Sequence, residues 1–249
     1  MIEKGVKFKN KPLGVLLFVG PSGVGKSQTA KIIANSFFDN EEAFIRLDMN
    51  GYKEQGSLNK LIGSAPGFSG HEEKSKFIKL LTSYPNSVIL IDDIDKANLE
   101  TMEFFSNIFE EGYFYDSKQE KIDCTNAIFI MTSNIGTKEN ELLSRRIHFE
   151  NQHANLNIYE LLSNKLGSEF INKIDDIFEF KHLSLKAQKE LFSQYLEELT
   201  SSLDMEIGTI NENIDDELVE RFGARYIKKR VVNSISEIIS ENEKNDIKS

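Results

Sequence analysis

The sequence predicts an α/β protein with a doubly wound, mainly parallel five-stranded sheet, followed by a small C-terminal helical domain. Three observations support this prediction. Short apolar runs alternate with amphipathic segments as far as residue 182, and a glycine-rich turn joins the first run to the first amphipathic segment. Beyond residue 182 only helical spacing is found. Alternation of strand and helix patterns is typical of a parallel sheet covered by crossover helices.

Five runs have the length and composition of strands. The first, residues 14–19, is apolar throughout, as in a strand that is buried on both faces. The second alternates apolar and polar residues. The last four runs cover residues 43–49, 87–92, 126–131 and 176–180, and the run 176–180 is the weakest. Apolar residues at helical spacing lie between these runs. They form two series, the first of Ala30, Ile33, Ala34, Phe37 and Phe38, and the second of Leu99, Met102, Phe105, Ile108 and Phe109.

The C-terminal part contains two series of apolar residues at helical spacing. The first comprises Leu183, Leu185, Leu191, Tyr195 and Leu199, and the second Ile227, Val231, Ile235, Ile238 and Ile239. We therefore expect a large α/β domain over residues 1–182 and a small helical domain over residues 183–249.

Composition excludes several classes of protein. The 249 residues contain 30 Lys and Arg against 40 Asp and Glu, a net charge of −10, so no general electrostatic attraction favours nucleic acid. The apolar runs are too short to cross a membrane, and the N-terminus has no signal-peptide pattern. The single cysteine, Cys124, excludes an internal disulfide. We expect a cytoplasmic protein with neither nucleic acid nor a membrane as partner.

The strongest chemical signal is the turn after the first strand. Its residues are Gly20-Pro21-Ser22-Gly23-Val24-Gly25-Lys26-Ser27, a complete G-x-x-x-x-G-K-[ST] pattern. In such a loop the backbone N–H groups surround phosphates, Lys26 reaches the β- and γ-phosphates, and the Ser27 hydroxyl binds Mg²⁺. The position between a buried strand and an amphipathic helix argues against a chance glycine-rich turn. We expect ATP or ADP to bind here with Mg²⁺.

Two carboxylates follow the third strand. Asp92 and Asp93 come directly after a run of four apolar residues, at the carboxyl edge where parallel sheets bind ligands. We expect Asp92 to hold Mg²⁺ through its water shell and Asp93 to orient the attacking water. A solvated strand end is the alternative, but it would have to coincide with a phosphate loop in the same sheet.

The segment Asp92-Asp93-Ile94-Asp95-Lys96-Ala97 resembles the D-E-I-E-K-A segment of Clp-type AAA+ proteins. Further similar segments follow in the same order along nearly the whole chain, closest to the second ATPase module of ClpB- and ClpA-like proteins, and ClpV-like motors are also similar. They are Lys11-Pro12-Leu13-Gly14, Leu61-Ile62-Gly63-Ser64-Ala65-Pro66-Gly67-Phe68-Ser69-Gly70, Met131-Thr132-Ser133-Asn134, Phe170-Ile171-Asn172-Lys173-Ile174-Asp175 and Gly223-Ala224-Arg225. This resemblance implies a P-loop ATPase that unfolds or remodels proteins by threading polypeptide through a homohexameric ring.

The resemblance also assigns roles to residues outside the phosphate loop. Asn134 corresponds to sensor-1 and Arg225 to the sensor-2 arginine, whereas a turn amide and a salt-bridged arginine are the alternatives. Gly67, Phe68, Ser69 and Gly70 correspond to the pore loop that grips the polypeptide, although a lone Phe could instead pack in the core. Lys173 stands at the position of the arginine finger, which reaches the ATP site of the neighbouring subunit.

Two departures from the family pattern concern hydrolysis. Asp93 replaces a glutamate and is one methylene shorter, and Lys173 replaces an arginine, so it lacks the planar bidentate fork. These changes leave open an ATP-binding assembly or regulatory module with weak or no hydrolysis. Residues 116–121 also lack the family's G-Q-G-R pattern, and no I-G-[FL] tripeptide is present between Asn134 and Phe170, so a ClpP-type peptidase partner is not supported. The negative charge weighs against a third reading, an AAA+ protein that acts on nucleic acid.

Overall fold

The computed structural model describes residues 10–63, 74–136, 158–203 and 215–246. The strands, in chain order, are β1 Gly14–Val19, β2 Phe44–Asp48, β3 Val88–Asp92, β4 Tyr113–Tyr115, β5 Lys121–Asp123, β6 Ile128–Ser133 and β7 Asp176–Glu179. The α-helices are α1 Lys26–Phe38, α2 Asn59–Ile62, α3 Lys76–Ser83, α4 Leu99–Glu111, α5 Ile158–Leu166, α6 Ser168–Ile171, α7 Leu185–Leu203, α8 Asp216–Phe222 and α9 Ala224–Asp246. Short 3-10 helices lie at Glu41–Ala43, Met49–Tyr52 and Ile94–Lys96.

The main sheet has five strands in the order β2-β3-β6-β1-β7, and all its neighbours are parallel, which confirms the predicted fold class. The chain leaves the sheet after β1, which lies next to the edge strand β7, and returns at the opposite edge as β2. The register places Asp48 beside Asp92 and Val19 beside Ser133. The carboxyl ends of β1, β3 and β6 therefore meet at one edge of the sheet, where a site can form.

The burial of each strand follows its place in the sheet. Every residue of β3 and β6 is buried, as expected for central strands that are covered on both faces. In the edge strand β2 burial alternates, with Ile45 and Leu47 buried and Arg46 and Asp48 exposed. The other edge strand, β7, has no fully buried residue, which explains why its sequence signal is weak.

Helix α4 illustrates how the helices are fixed at their ends and packed. Asn98 caps its start, since the side-chain oxygen accepts from the Thr101 N–H at 2.8 Å. It ends at Gly112, which has a φ of +72°. The buried face includes Phe109, whose ring lies 5.3 Å from that of Phe129 in β6. Truncating such a side chain to alanine costs about 3–5 kcal/mol.

The hairpin formed by β4 and β5 was not predicted. Its strands are antiparallel and three residues long, and only Phe114 and Ile122 point into the core. A single apolar residue per strand gives no alternation to recognise, so the periodicity of the sequence does not reveal it. The Asp116 carboxylate organises the turn, because its Oδ1 accepts from the N–H groups of Lys118 and Glu120, both at 2.8 Å.

The contacts of the backbone divide the chain into two compact units. One comprises Met1–Gly20 and Lys26–Glu179, and the other Pro21–Gly25 and Phe180–Ser249. The second unit has its own apolar core, which is built from Phe192, Val219, Ile227, Val231 and Ile235. Of the helices in the part of the chain described, none is long and apolar enough to cross a membrane.

Candidate active site

The loop that joins β1 to α1 has an unusual backbone. Gly20, Gly23 and Gly25 have φ angles of +142°, +78° and +103°, which side-chain-bearing residues rarely adopt. The Gly20 N–H donates to the Ser133 carbonyl at 3.2 Å and so ties the start of the loop to β6. Helix α1 begins at Lys26. The N–H groups of its first turn have no partner within the helix, and the helix dipole favours an anion there.

Lys26 is only 7% exposed and points to the carboxyl edge of the sheet. Its Nζ donates to the Gly20 carbonyl at 2.7 Å and to Oδ1 of Asn134 at 2.8 Å. Both acceptors are neutral oxygens, and an anionic phosphate oxygen is a stronger acceptor for an ammonium group. A phosphate oxygen can therefore compete with these two acceptors for the ammonium group.

The Asp92 carboxylate is fixed by donors from three other elements. Ser27 Oγ and Thr132 Oγ1 donate to its Oδ1 at 3.0 and 2.6 Å, and an Arg46 amino group pairs with Oδ2. These hydrogen bonds orient the Asp92 carboxylate, and the positive charge of Arg46 balances its negative charge. Ser27 and Asp92 bring a hydroxyl and a carboxylate oxygen together, a donor set of the kind that Mg²⁺ prefers.

Asp93 has a backbone conformation that is uncommon for a residue other than glycine. Its φ and ψ are 57° and 54°, in the left-handed region, and its N–H donates to Thr132 Oγ1 at 2.9 Å. The side chain accepts from Asn134 Nδ2 at 3.2 Å and from Asn50 Nδ2 at 3.4 Å. Burial raises the pKa of Asp93, as do the carboxylates of Asp92 and Asp95, while the Asn50 hydrogen bond and Lys26 partly offset this.

The structure brings together Lys26, Ser27, Asp92, Asp93 and Asn134, which come from three separate parts of the sequence. Lys173, which precedes β7, makes no hydrogen bond or ion pair to any of the five among the contacts described. Instead its Nζ lies 2.9 Å from Oε2 of Glu110 and 3.5 Å from Oε1 of Glu169. The hydrogen bond to Glu110 and the charges of both carboxylates raise the pKa of Lys173, although partial burial opposes this.

Arg225 lies in the C-terminal unit together with residues 21–25. Its guanidinium donates to Ser22 Oγ at 3.1 Å. Near it the backbones of Gly223 and Gly23 touch, since a Cβ built on Gly223 would come within 2.5 Å of the Gly23 carbonyl. The Ala224 N–H donates to the same carbonyl at 2.8 Å. The predicted sensor-2 segment thus contacts the middle of the phosphate loop within this unit.

Some predicted residues lie outside the described part of the chain, and some contributors were not predicted. Gly67, Phe68, Ser69 and Gly70 fall in the stretch between residues 63 and 74 that the structure does not describe.

Arg46 and Asn50 were missed, as was the role of Thr132. Arg46 occupies a polar position in the alternating pattern of β2, which identifies it only as a residue on the exposed face. Nothing in the sequence pattern around Asn50 or Thr132 pointed to Asp93 or Asp92.

The residues present fit a nucleotide with Mg²⁺. Positive-φ glycines and a helix start can surround phosphates, and Lys26 supplies a buried positive charge. An added Cβ on Gly25 would meet no described protein atom within 4 Å. Ser27 and Asp92 provide the oxygen pair for the metal.

This combination of a parallel sheet, a phosphate loop and an acidic strand end defines a P-loop ATPase. The chain belongs to the AAA domain family, Cdc48 subfamily, whose family model matches residues 11–177, and it is a Clp-type AAA+ ATPase module. The resemblance to the Clp-type family that the sequence motifs indicated is thereby confirmed.

Several relatives cover nearly the whole chain. It is 38% identical over 248 residues to the chaperone protein ClpB of Chlamydia trachomatis, a match of 95% of this chain and 28% of that protein. It is 35% identical over 239 residues to the ATP-dependent Clp protease ATP-binding subunit ClpE of Bacillus subtilis, a match of 91% of this chain and 34% of that protein. The chain therefore spans about a third or less of the length of these relatives.

Proposed function

We propose that this chain hydrolyses ATP with Mg²⁺ and uses the energy to unfold or remodel polypeptides, as the motor module of a homohexameric ring. The hydrogen-bonded set formed by Lys26, Ser27, Asp92, Asp93 and Asn134 carries this proposal. Residues 1–182 act as the nucleotide-binding domain and residues 183–249 as the small sensor-2 domain. The names of the relatives, a chaperone and the ATP-binding subunit of a Clp protease, support protein remodelling over a purely regulatory role.

Binding of ATP or ADP is assigned to the loop residues Gly20, Pro21, Ser22, Gly23, Val24, Gly25, Lys26 and Ser27. The N–H groups of the loop residues other than Pro21 donate to the phosphate oxygens at the start of α1, and Lys26 turns from the Gly20 carbonyl and Asn134 to the phosphate oxygens. Ser27 and Asp92 would hold the Mg²⁺ ion. Bound Mg²⁺ would neutralise charge on the phosphate oxygens. Arg46 holds the Asp92 carboxylate in the orientation in which it accepts the hydrogen bond from Ser27.

Hydrolysis is assigned to Asp93 and Asn134. The Asp93 carboxylate accepts a hydrogen bond from the attacking water, and the Asn134 amide, which already donates to Asp93, orients the same water. The Asp93 side chain is short, and its left-handed backbone conformation places the carboxylate against Asn134 and Asn50. This placement compensates in part for the missing methylene. Arg225 senses the nucleotide from the C-terminal unit, and Lys173 acts on the ATP site of the next subunit.

Polypeptide binding is assigned to Gly67, Phe68, Ser69 and Gly70. An aromatic side chain between glycines can contact many sequences without a fixed pattern of hydrogen bonds. The substrate class is therefore unfolded polypeptide, with neither nucleic acid nor membrane as partner, and a ClpP-type peptidase is not part of the proposal.

The proposal is tested by ATP turnover and nucleotide affinity of the wild type and Lys26→Ala. Removing the ammonium group that faces the phosphates should weaken ATP binding at least tenfold in calorimetry, because charged hydrogen bonds contribute about 1.5–3 kcal/mol. It should also abolish phosphate release. Lys31→Ala, an exposed lysine of the same helix, is the matched control and should behave as wild type.

Unchanged ATP affinity in Lys26→Ala would contradict the whole site. Tight ATP binding by the wild type without turnover, in a ring assembled according to sedimentation, would favour the ATP-binding assembly module instead.

A further inference from the structure

The backbone around Asn134 is held by the side chain of the residue before it. Ser133 is the last residue of β6 and is completely buried. Its Oγ accepts from the Ile135 N–H at 3.1 Å. This hydrogen bond closes a turn of the chain around Asn134, so it fixes the backbone from which the Asn134 side chain extends.

The Ser133 hydroxyl is in turn held by a carboxylate. It donates to Oδ1 of Asp95 at 2.8 Å, and the Asp95 side chain is only 12% exposed. Burial raises the pKa of Asp95, but the hydrogen bonds from Lys96 and Ser133 and the charge of Lys96 outweigh this effect, so the pKa lies below its usual value. Asp95 is therefore ionised at neutral pH, and a charged acceptor forms the stronger hydrogen bond with the hydroxyl.

The orientation of the Asn134 amide matters because its two ends have different partners. Its Oδ1 accepts from Lys26 Nζ at 2.8 Å, and its Nδ2 donates to Asp93 Oδ1 at 3.2 Å. The backbone of Ser133 is also fixed, since its carbonyl accepts from the Gly20 N–H at 3.2 Å. Ser133 is thus joined to the start of the phosphate loop by its carbonyl and to the turn after β3 by its hydroxyl.

We propose that Ser133, anchored by Asp95, is a positioning residue for ATP hydrolysis that orients the Asn134 amide towards Asp93 and the attacking water. This inference rests on the proposed role of Asn134 in hydrolysis. The resemblance gives neither Ser133 nor Asp95 a role. Without the hydroxyl the turn 133–135 is released, and a small displacement of a group that acts on the reacting atoms is costly in rate.

The effect should appear in kcat and not in ATP binding. Ser133→Ala retains the carbonyl that holds Gly20, so the KM for ATP and the Kd for ATPγS should not change. In rings of the full chain, kcat should fall about threefold to tenfold, as expected for the loss of one hydrogen bond. The matched control is Ser87→Ala, a completely buried serine just before β3 whose hydroxyl has no hydrogen-bond partner among the described residues. This variant should keep the wild-type kcat.

A double-variant cycle shows whether Ser133 acts through Asn134. Asn134→Ala should lower kcat at least tenfold. In that background Ser133→Ala should cause no further loss, because no amide is left to orient, whereas two independent effects would multiply.

Two variants of Asp95 test the anchor. Asp95→Ala should lower kcat as Ser133→Ala does. Asp95→Asn keeps an acceptor oxygen for the Ser133 hydroxyl and should retain most of the wild-type kcat. Thermal midpoints show whether each variant folds. If Ser133→Ala does not fold, Asp95→Ala takes its place in the cycle with Asn134→Ala.

The contrary results separate the two levels of the proposal. If the wild type does not hydrolyse ATP, or if Asn134→Ala is as fast as the wild type, the proposed role of Asn134 fails and the inference with it. If Asn134→Ala is slow while Ser133→Ala keeps the wild-type kcat, only the positioning role fails. Losses that multiply in the double variant, or an Asp95→Asn variant as slow as Asp95→Ala, also overturn the positioning role.

Discussion

Nζ of Lys173 lies 2.9 Å from Oε2 of Glu110, at the end of helix α4, and is also paired with Glu169 one helical turn away. The residue at the finger position is thus held by two carboxylates of its own chain. The Glu110 pKa is lowered by the hydrogen bond from Lys173 and by its charge, so both partners favour the ionised pair. To act on a neighbouring subunit, Lys173 has to exchange these partners for a phosphate.

The first prediction concerns this exchange. Glu110→Gln removes the nearer charge, so Lys173 should transfer more readily to the phosphate of the next subunit. ATP turnover in assembled rings should rise about twofold to fivefold, as expected from a pair whose carboxylate partner, Glu110, is 57% exposed. Glu111→Gln, an exposed neighbour in the same helix, is the control and should leave turnover unchanged. A decrease in Glu110→Gln as large as in Lys173→Ala would show instead that Glu110 positions Lys173 for catalysis.

The second prediction concerns the two departures from the family pattern. Asp93→Glu should extend the carboxylate towards the attacking water, and Lys173→Arg should add a bidentate fork, so each should raise turnover and the pair most. Steady-state phosphate release is compared at concentrations where sedimentation shows rings. Rapid ATP turnover by the wild type, with slower turnover in both Asp93→Glu and Lys173→Arg, would mean that this site is adapted to the shorter side chain and to lysine.

The architecture was predictable where burial imposes a pattern. The continuous apolar runs of β1, β3 and β6 identify central strands of a parallel sheet, and the spacing of Phe105 and Phe109 identifies α4. The hairpin was missed, because Phe114 and Ile122 are its only inward residues and the turn depends on a buried carboxylate, Asp116. A buried aspartate that serves backbone N–H groups cannot be distinguished from a solvated one in a sequence.

The site was predictable for residues whose spacing is local. Lys26 and Ser27 follow from one contiguous motif, and Asp92 and Asp93 from the end of an apolar strand. Arg46 and Asn50 reach the site only because β2 lies beside β3 in the register that pairs Asp48 with Asp92. That register depends on strand order, which a single sequence does not specify. The pairing of Lys173 with Glu110 depends in the same way on the packing of α4.

The third prediction compares two glycines with positive φ. Gly223→Ala should destabilise the C-terminal unit strongly, because the new Cβ would meet the Gly23 backbone at 2.5 Å and the φ of +60° is unfavourable for alanine. Gly56→Ala also places an alanine at positive φ, +78°, but nothing described lies within 4 Å of its Cβ. A left-handed conformation costs alanine about 1–2 kcal/mol, whereas Gly223, with a ψ of −147°, lies in a region essentially restricted to glycine, so the excess in Gly223→Ala measures this backbone penalty together with the clash. Thermal denaturation with and without ATP follows both variants, and equal losses would contradict the close contact with the phosphate loop.

The last prediction concerns Phe68, whose assignment rests on the resemblance alone. If it grips passing polypeptide, Phe68→Ala should leave the thermal midpoint almost unchanged and abolish polypeptide-stimulated ATP turnover, since the side chain acts on a partner. Phe68→Tyr retains an aromatic ring and should preserve most activity. The control is Phe109→Ala, which removes from the core a ring that is 2% exposed and packs edge-to-face against Phe129, with an expected loss of about 3–5 kcal/mol. A loss of stability in Phe68→Ala as large as in Phe109→Ala would place Phe68 in the core and remove the pore-loop assignment.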